Sequence, residues 1–331
     1  MQLTQKKSRR GDLLTAAAVA VLLAVMAALL YTGSLTRQVT NMLIPTAVYI
    51  VMAVSLNLVV GLLGELSLGH AGFMSVGLFS GCLVAIALTN TALPLMVRLP
   101  VSMLAGGLTA AVFGLLVGLP TLRLRGDYLA IVTLACGEIF KNIITNLRVT
   151  GGALGLNTSA IYAGAKELLP YGAALVLLTV AVMLNLKRSK YGRAIMAIRD
   201  NRIAAESVGL SVTRYKLAVF VIAAFFAGCA GVLYGHSLAN IKAAAFDYNM
   251  SIEILVIVVL GGMGSVPGSV VSAIVLTVLP EALREVADYR MLVYAVVLIL
   301  VMQATNNPAM KRFFGAACKS LTPKRKERAA L

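Results

Sequence analysis

The chain has 331 residues, 60% of them hydrophobic and 13% charged, with a mean hydropathy of +0.90 and a net charge of +16. Soluble domains carry about a quarter charged residues, so composition excludes a soluble domain of any size. Apolar runs of roughly 20 residues recur along the chain and predict an all-α, polytopic membrane bundle, while the alternating pattern of a membrane β-barrel is missing.

In chain order, the runs predict spans at about 13–31, 42–63, 71–89, 101–119 and 128–147, then at about 170–186, 217–235, 251–262, 267–280 and 291–304. Ten spans put both termini on one side. Eight spans fit as well if the short segments around Gly61–Gly72 and Gly261–Gly268 are re-entrant. The first run follows a basic start but lacks a convincing cleavage site, which favours an uncleaved first span.

The positive charge falls in four blocks between spans. Residues 1–12 carry +3, residues 120–127 carry +1, Lys187 to Lys216 carries +6, and the tail after residue 305 carries +6, so the remainder is neutral. A nucleic-acid binder can be equally basic, but blocks placed between spans follow the positive-inside pattern. All four, and both termini, are expected in the cytoplasm. Cys82, Cys136 and Cys229 lie in apolar runs and Cys318 in the tail, without metal or redox spacing. With only His70 and His236 in the chain, no histidine-based metal or proton-relay cluster is expected.

The stretch from Lys187 to Lys216 is the longest polar segment between apolar runs and organises the reading. Its middle reads as a short helix over 199–209. Asp200 is placed to cap it, and Gly209 to stop it in the left-handed conformation. Ile203, Ala204, Ser207 and Val208 share a small-to-apolar face, with Arg199, Arg202 and Glu206 elsewhere. Two turns of helix are unstable alone in water, so such an element needs a surface to dock on. A plain solvated loop that only fixes topology is the simpler alternative.

Two glycine-rich segments resemble each other. Gly61, Gly64 and Gly69 answer to Gly261, Gly264 and Gly268, each set following a Val-Val pair. Paired interruptions in two halves point to a translocation path; tight packing through small residues explains them equally. Charged residues within spans are functional candidates. Glu138 and Lys141 sit three apart on one helix face and read either as a site or as a structural ion pair. Glu253 opens the eighth span, and Glu65 and His70 flank the first glycine turn, where His70 reads as a hydrogen-bonded turn residue. There is no GxxxxGK[ST] phosphate loop and no nucleophile–base motif, so the chain is expected to bind no cofactor and to be no enzyme.

Several stretches carry a family resemblance. IAAESVG (203–209) is similar to the EAA-xxx-G signature of ABC-importer permeases, with Ile203 in place of the leading Glu. SLNLVVGLLGELSLGHAGF (55–73), LRGDYLAIVTLACGEI (124–139), TGGALGL (150–156), GRAIMAIRDNRIAAESVGL (192–210) and VVLGGMGSVPGSVVSA (258–273) together resemble the LivM-type permeases of branched-chain amino acid importers. The tail after Gln303 departs from the family's usual ending.

The resemblance implies one permease domain over 1–331, with a coupling loop at 187–216 and a basic tail at 305–331. It implies a multi-pass subunit of a bacterial inner membrane, importing leucine, isoleucine or valine by alternating access. The implied partners are a LivH-type second permease, two cytoplasmic ATPases that use the ATP, and a periplasmic or surface substrate-binding protein. Arg199, Asp200, Ile203, Ala204, Ala205, Glu206, Val208 and Gly209 would form the coupling helix docked on one ATPase. The candidates for the path are Gly61, Gly64, Gly69, His70, Glu138, Glu253, Gly261, Gly264 and Gly268. Urea or short amides as substrates, an ion-coupled secondary transporter using Glu138 or Glu253, and a non-transporting scaffold are the alternatives.

Overall fold

The computed structural model describes residues 17–30, 32, 36–89, 94–124, 126–282, 296 and 299. Residues 1–278 form one unit and residues 279–331 a second, and the core and the candidate site lie in the first. The elements are α1 (Ala17–Leu30), α2 (Arg37–Asn57) running into a π-helical turn (Leu58–Leu63), α3 (His70–Thr89), α4 (Leu95–Thr121), α5 (Asp127–Asn146), α6 (Ala165–Arg188), α7 (Lys190–Asp200), α8 (Arg202–Ser207), α9 (Val212–His236), α10 (Tyr248–Gly261) and α11 (Val266–Ala282). Strands β1 (Leu156–Asn157) and β2 (Asn240–Ile241) pair antiparallel.

Arg37–Leu63, α3, α4, α5, α6, α9 and Ala243–Gly261 are long and apolar enough to cross a bilayer, and α1 and α11 are shorter apolar helices. These coincide with the first nine expected spans. The tenth, apart from residues 296 and 299, and the basic ends at 1–12 and 305–331 lie outside the described residues. Around Gly61–Gly72, α3 has 20 residues and Arg37–Leu63 has 27, so this segment joins two helices each long and apolar enough to cross a bilayer. Helices α4 and α6 start earlier than expected, at Leu95 and Ala165, because Pro100 and Pro170 sit inside their early turns. A proline there removes one intrahelical bond without ending the helix.

The core forms where α3, α4 and α9 cross along small residues. A Cβ placed on Gly77 would lie 2.2 Å from Gly228 Cα and 2.9 Å from the Gly106 carbonyl, and one on Gly106 would lie 2.4 Å from the Gly77 carbonyl. Only glycine lets three backbones approach this closely. Phe73 meets Phe220 edge to face beside this seam, with ring centroids 5.3 Å apart. Helix α2 is enclosed further: every residue from Ile50 to Leu63 is buried, including Ser55 and Asn57. On the opposite end from the basic loop, β1 and β2 tie the segment after α5 to the segment after α9, with Leu156 opposite Ile241.

Candidate functional site

The basic segment folds as two helices, where the sequence suggested one. Ser189 caps α7 by accepting from the Gly192 N–H at 3.0 Å. Asp200 is the last residue of α7 and is not the cap of the next helix; that role belongs to Asn201, whose Oδ1 accepts from the Ala204 N–H at 3.1 Å. The reason is backbone conformation: Asn201 is the extended residue between the helices (φ −153°, ψ 103°), as a cap must be. Helix α8 ends at Gly209, whose φ of +84° is left-handed. Its one helical ion pair, Arg202–Glu206, spans 2.9 Å.

The two faces of α8 differ. Ile203 is 80% exposed and Val208 75%, and Ala204, Glu206 and Ser207 are exposed with them. Ala205 is only 3% exposed and packs with Ile198 of α7 and Val212 of α9, under Leu210 and Tyr215. Its place in the docking set is therefore corrected: Ala205 anchors α8 to its own protein. The apolar residues that follow Gly209 fold back over it and take its face.

The two glycine-rich segments come together. Gly264 N–H donates to Asn57 Oδ1 at 2.7 Å, while Asn57 Nδ2 donates to the Ser265 carbonyl (3.2 Å) and to Ser269 Oγ (2.7 Å). A Cβ on Gly61 would lie 2.2 Å from Gly264 N, so the two backbones touch. The π turn ends at Gly64 (φ +78°), whose N–H, like that of Glu65, goes back to the Val59 carbonyl. That leaves the Gly61 carbonyl free for Arg199 Nη1, which donates to it at 3.1 Å. Lys187 Nζ donates to the Gly264 carbonyl at 2.9 Å. The remaining glycines pack apart from this contact: Gly69 against the Thr133 carbonyl, and Gly261 against Gly268.

Beside the junction, Lys216 of α9 pairs with Glu65 in a nearly dry setting, with 6% and 13% of their side chains exposed. A buried pair adds little net stability, but losing one partner costs about 3–5 kcal/mol. His70 Nε2 lies 2.8 Å from Ser55 Oγ. Glu138 pairs with Lys141 and also accepts from the N–H of Tyr248 at 3.0 Å, the first residue of α10, whose cap is Asp247. Glu253 accepts from Tyr49 Oη at 3.3 Å. Two apolar hollows, one bordered by α1, α2 and α11 and one by α4, α6 and α9, contain none of the residues expected to line a path.

Asn57 and Lys187 are the functional candidates that sequence reasoning passed over. A lone amide in the apolar run VSLNLVVG was the available signal for the first, because a buried polar group must find partners.

Residues 38–302 match the protein family described as "Branched-chain amino acid transport system / permease component". The high-affinity branched-chain amino acid transport system permease protein LivM of Salmonella typhimurium strain LT2 is 36% identical over 296 residues, and that of Escherichia coli K12 37% over 290. Each alignment covers 78% of this chain and 66% of the relative. The LivH permease protein of the same Salmonella system is 31% identical over 126 residues, covering 37% of this chain and 40% of the relative. No solved structure matches the chain.

Proposed function

This chain belongs to the permease components of branched-chain amino acid transport systems, and from that premise we propose that it is the LivM-type subunit of an ATP-driven importer of leucine, isoleucine and valine. It pairs with a LivH-type permease, a pairing supported by the LivM and LivH likenesses together. Two separate ATPases supply the energy and a substrate-binding protein delivers the amino acid from outside. The subunit itself binds no ATP. Its basic segment from Lys187 to Lys216 lies on the cytoplasmic side, in keeping with the positive-inside rule.

One observation carries the reading. Helix α8 is capped at both ends, anchored inward by Ala205, and turns Ile203 and Val208 almost fully to water. A helix of six residues gains nothing by exposing Ile203, its largest apolar side chain, together with Val208 at its end unless a partner covers them. The groove of an ATPase is the partner that fits: its nucleotide-driven closure then moves α8.

The test is a pair of variants in the assembled importer. Ile203→Asp with Val208→Asp changes only exposed positions, so membrane abundance should hold while ATPase retention and leucine uptake are lost. Ala205→Glu buries a charge in the α7–α9 contact at a cost of several kcal/mol, so it should lower the abundance of folded chain as well. Full ATPase retention in the double variant, or uptake that tracks a proton gradient in vesicles without ATPases, would reject the proposal.

A further inference from the structure

We infer that Lys187 and Arg199 are positioning residues that form a two-pronged latch, fastening the α7–α8 arm to both helix breaks at once through the carbonyls of Gly264 and Gly61. The inference rests on the importer reading and deepens it, by naming the contacts through which a displaced α8 reaches the spans.

The geometry is specific. Arg199 sits on the last turn of α7, with only Asp200 between it and Asn201, the cap of α8. Its stem lies across Gly64, where a Cβ would come within 2.5 Å of Arg199 Cγ. One edge of the guanidinium, Nε and Nη2, donates to Asp200 Oδ1 at 3.1 and 3.0 Å; the other donates to the Gly61 carbonyl. Asp200 thus aims the group. Lys187 sits in the last turn of α6, where a cation normally turns to its own helix end or to water. Here it reaches 77 positions along the chain to the Gly264 carbonyl.

Both acceptors are carbonyls released by broken backbone, one by the π turn and one by the turn between α10 and α11, and such groups hold a cation well. Gly61 and Gly264 touch, and Asn57, one turn before Gly61 on the same helix, binds the Gly264 N–H. The basic segment therefore grips a single junction from two sides, at the end of α6 and at the end of α7. A rigid shift of α8 pulls directly on Gly61, while Lys187 keeps Gly264 in step. Glycine at both breaks leaves no side chain between prong and backbone.

The experiment compares Lys187→Met, Arg199→Gln and the double variant in the complete importer, reconstituted in vesicles, and reads leucine uptake per ATP hydrolysed alongside ATPase retention. Each single variant should keep its ATPases and lower uptake per ATP about tenfold, the equivalent of one charge-assisted hydrogen bond. The double variant should be little worse than either, because one missing prong already decouples the arm. Lys187→Arg should stay near wild type. Arg199→Lys should not be rescued, since an ammonium cannot hold Asp200 and Gly61 with two edges. Unchanged uptake per ATP in both single variants overturns the latch, as does loss of ATPases from them. Absence of ATP-driven uptake in the wild-type complex would instead defeat the importer reading itself.

Discussion

Two glycine contacts lie at the heart of this molecule, and they are built differently. In the seam of α3, α4 and α9, Gly77, Gly106 and Gly228 bring backbone onto backbone with apolar neighbours such as Ala110 and Val232. At the junction, Gly61 and Gly264 touch as closely, but Asn57, Arg199 and Lys187 reach in and bind the backbone groups around the contact. The seam is closed mainly by shape, with side-chain hydrogen bonds only at its flanks, between Ser80 and Thr109 and from Cys229 to the Met103 carbonyl. The junction is closed by hydrogen bonds as well, from Asn57 one turn before Gly61 and from Lys187 and Arg199 of the basic segment. Separating the seam would cost packed contacts throughout, whereas the hydrogen bonds of the junction can be exchanged one for another.

The sharpest way to break this comparison is at the seam. Gly77→Leu places a side chain where Gly228 Cα and the Gly106 carbonyl already stand, and neither is a flexible side-chain end that could yield. The expected cost is about 3 kcal/mol or more, from forced separation of three helices. Folded chain in the membrane should fall sharply, whatever is done to the cytoplasmic arm. Membrane abundance and detergent melting equal to wild type would mean that these backbones are not in contact.

The second variant attacks the junction and should cost less. Asn57→Ala adds no bulk but removes the acceptor of the Gly264 N–H and the donor to Ser265 and Ser269. Buried backbone groups left unpaired cost about 2 kcal/mol here, given that Ser269 Oγ still donates to the Ser265 carbonyl. The chain should therefore insert and melt a little early, yet lose uptake. A loss of abundance as large as that of Gly77→Leu would erase the distinction between the two contacts.

The same distinction explains what can be read in the sequence. Spans are legible because an apolar run of bilayer length has few other uses, and nine of ten expected spans match described helices. The glycines of both contacts are visible as glycines, but not which is which: that depends on Arg199 reaching a carbonyl 138 positions away, and no local pattern encodes such a contact. The exposed face of α8 is legible from its helical spacing. The inward turn of Ala205 is not, because it is set by Leu210, Val212 and Tyr215 folding back after the helix has ended. The cap lies one residue beyond the position the sequence suggests: Asp200 and Asn201 have equal capping chemistry, and only the break in backbone between α7 and α8 chooses between them.

Gly209 supplies the smallest expected effect and separates a third use of glycine from the other two. No atom lies within 4 Å of a Cβ placed there, so neither packing nor a hydrogen bond requires glycine. Its φ of +84° alone does. The left-handed region costs an ordinary residue about 1–2 kcal/mol, and Asn less than Ala because its short polar side chain can hydrogen-bond locally. Melting of the isolated chain should therefore fall in the order Gly, Asn, Ala, Val, over a total range well below that of Gly77→Leu. The same series repeated in the assembled importer carries a further reading. If the ATPase covers only Ile203 and Val208, ATPase retention should follow the same shallow order. A steep loss already at Gly209→Asn, with the isolated chain unharmed, would put the partner's surface directly against Gly209, and the docking face would have to be drawn around the end of α8 instead of along it.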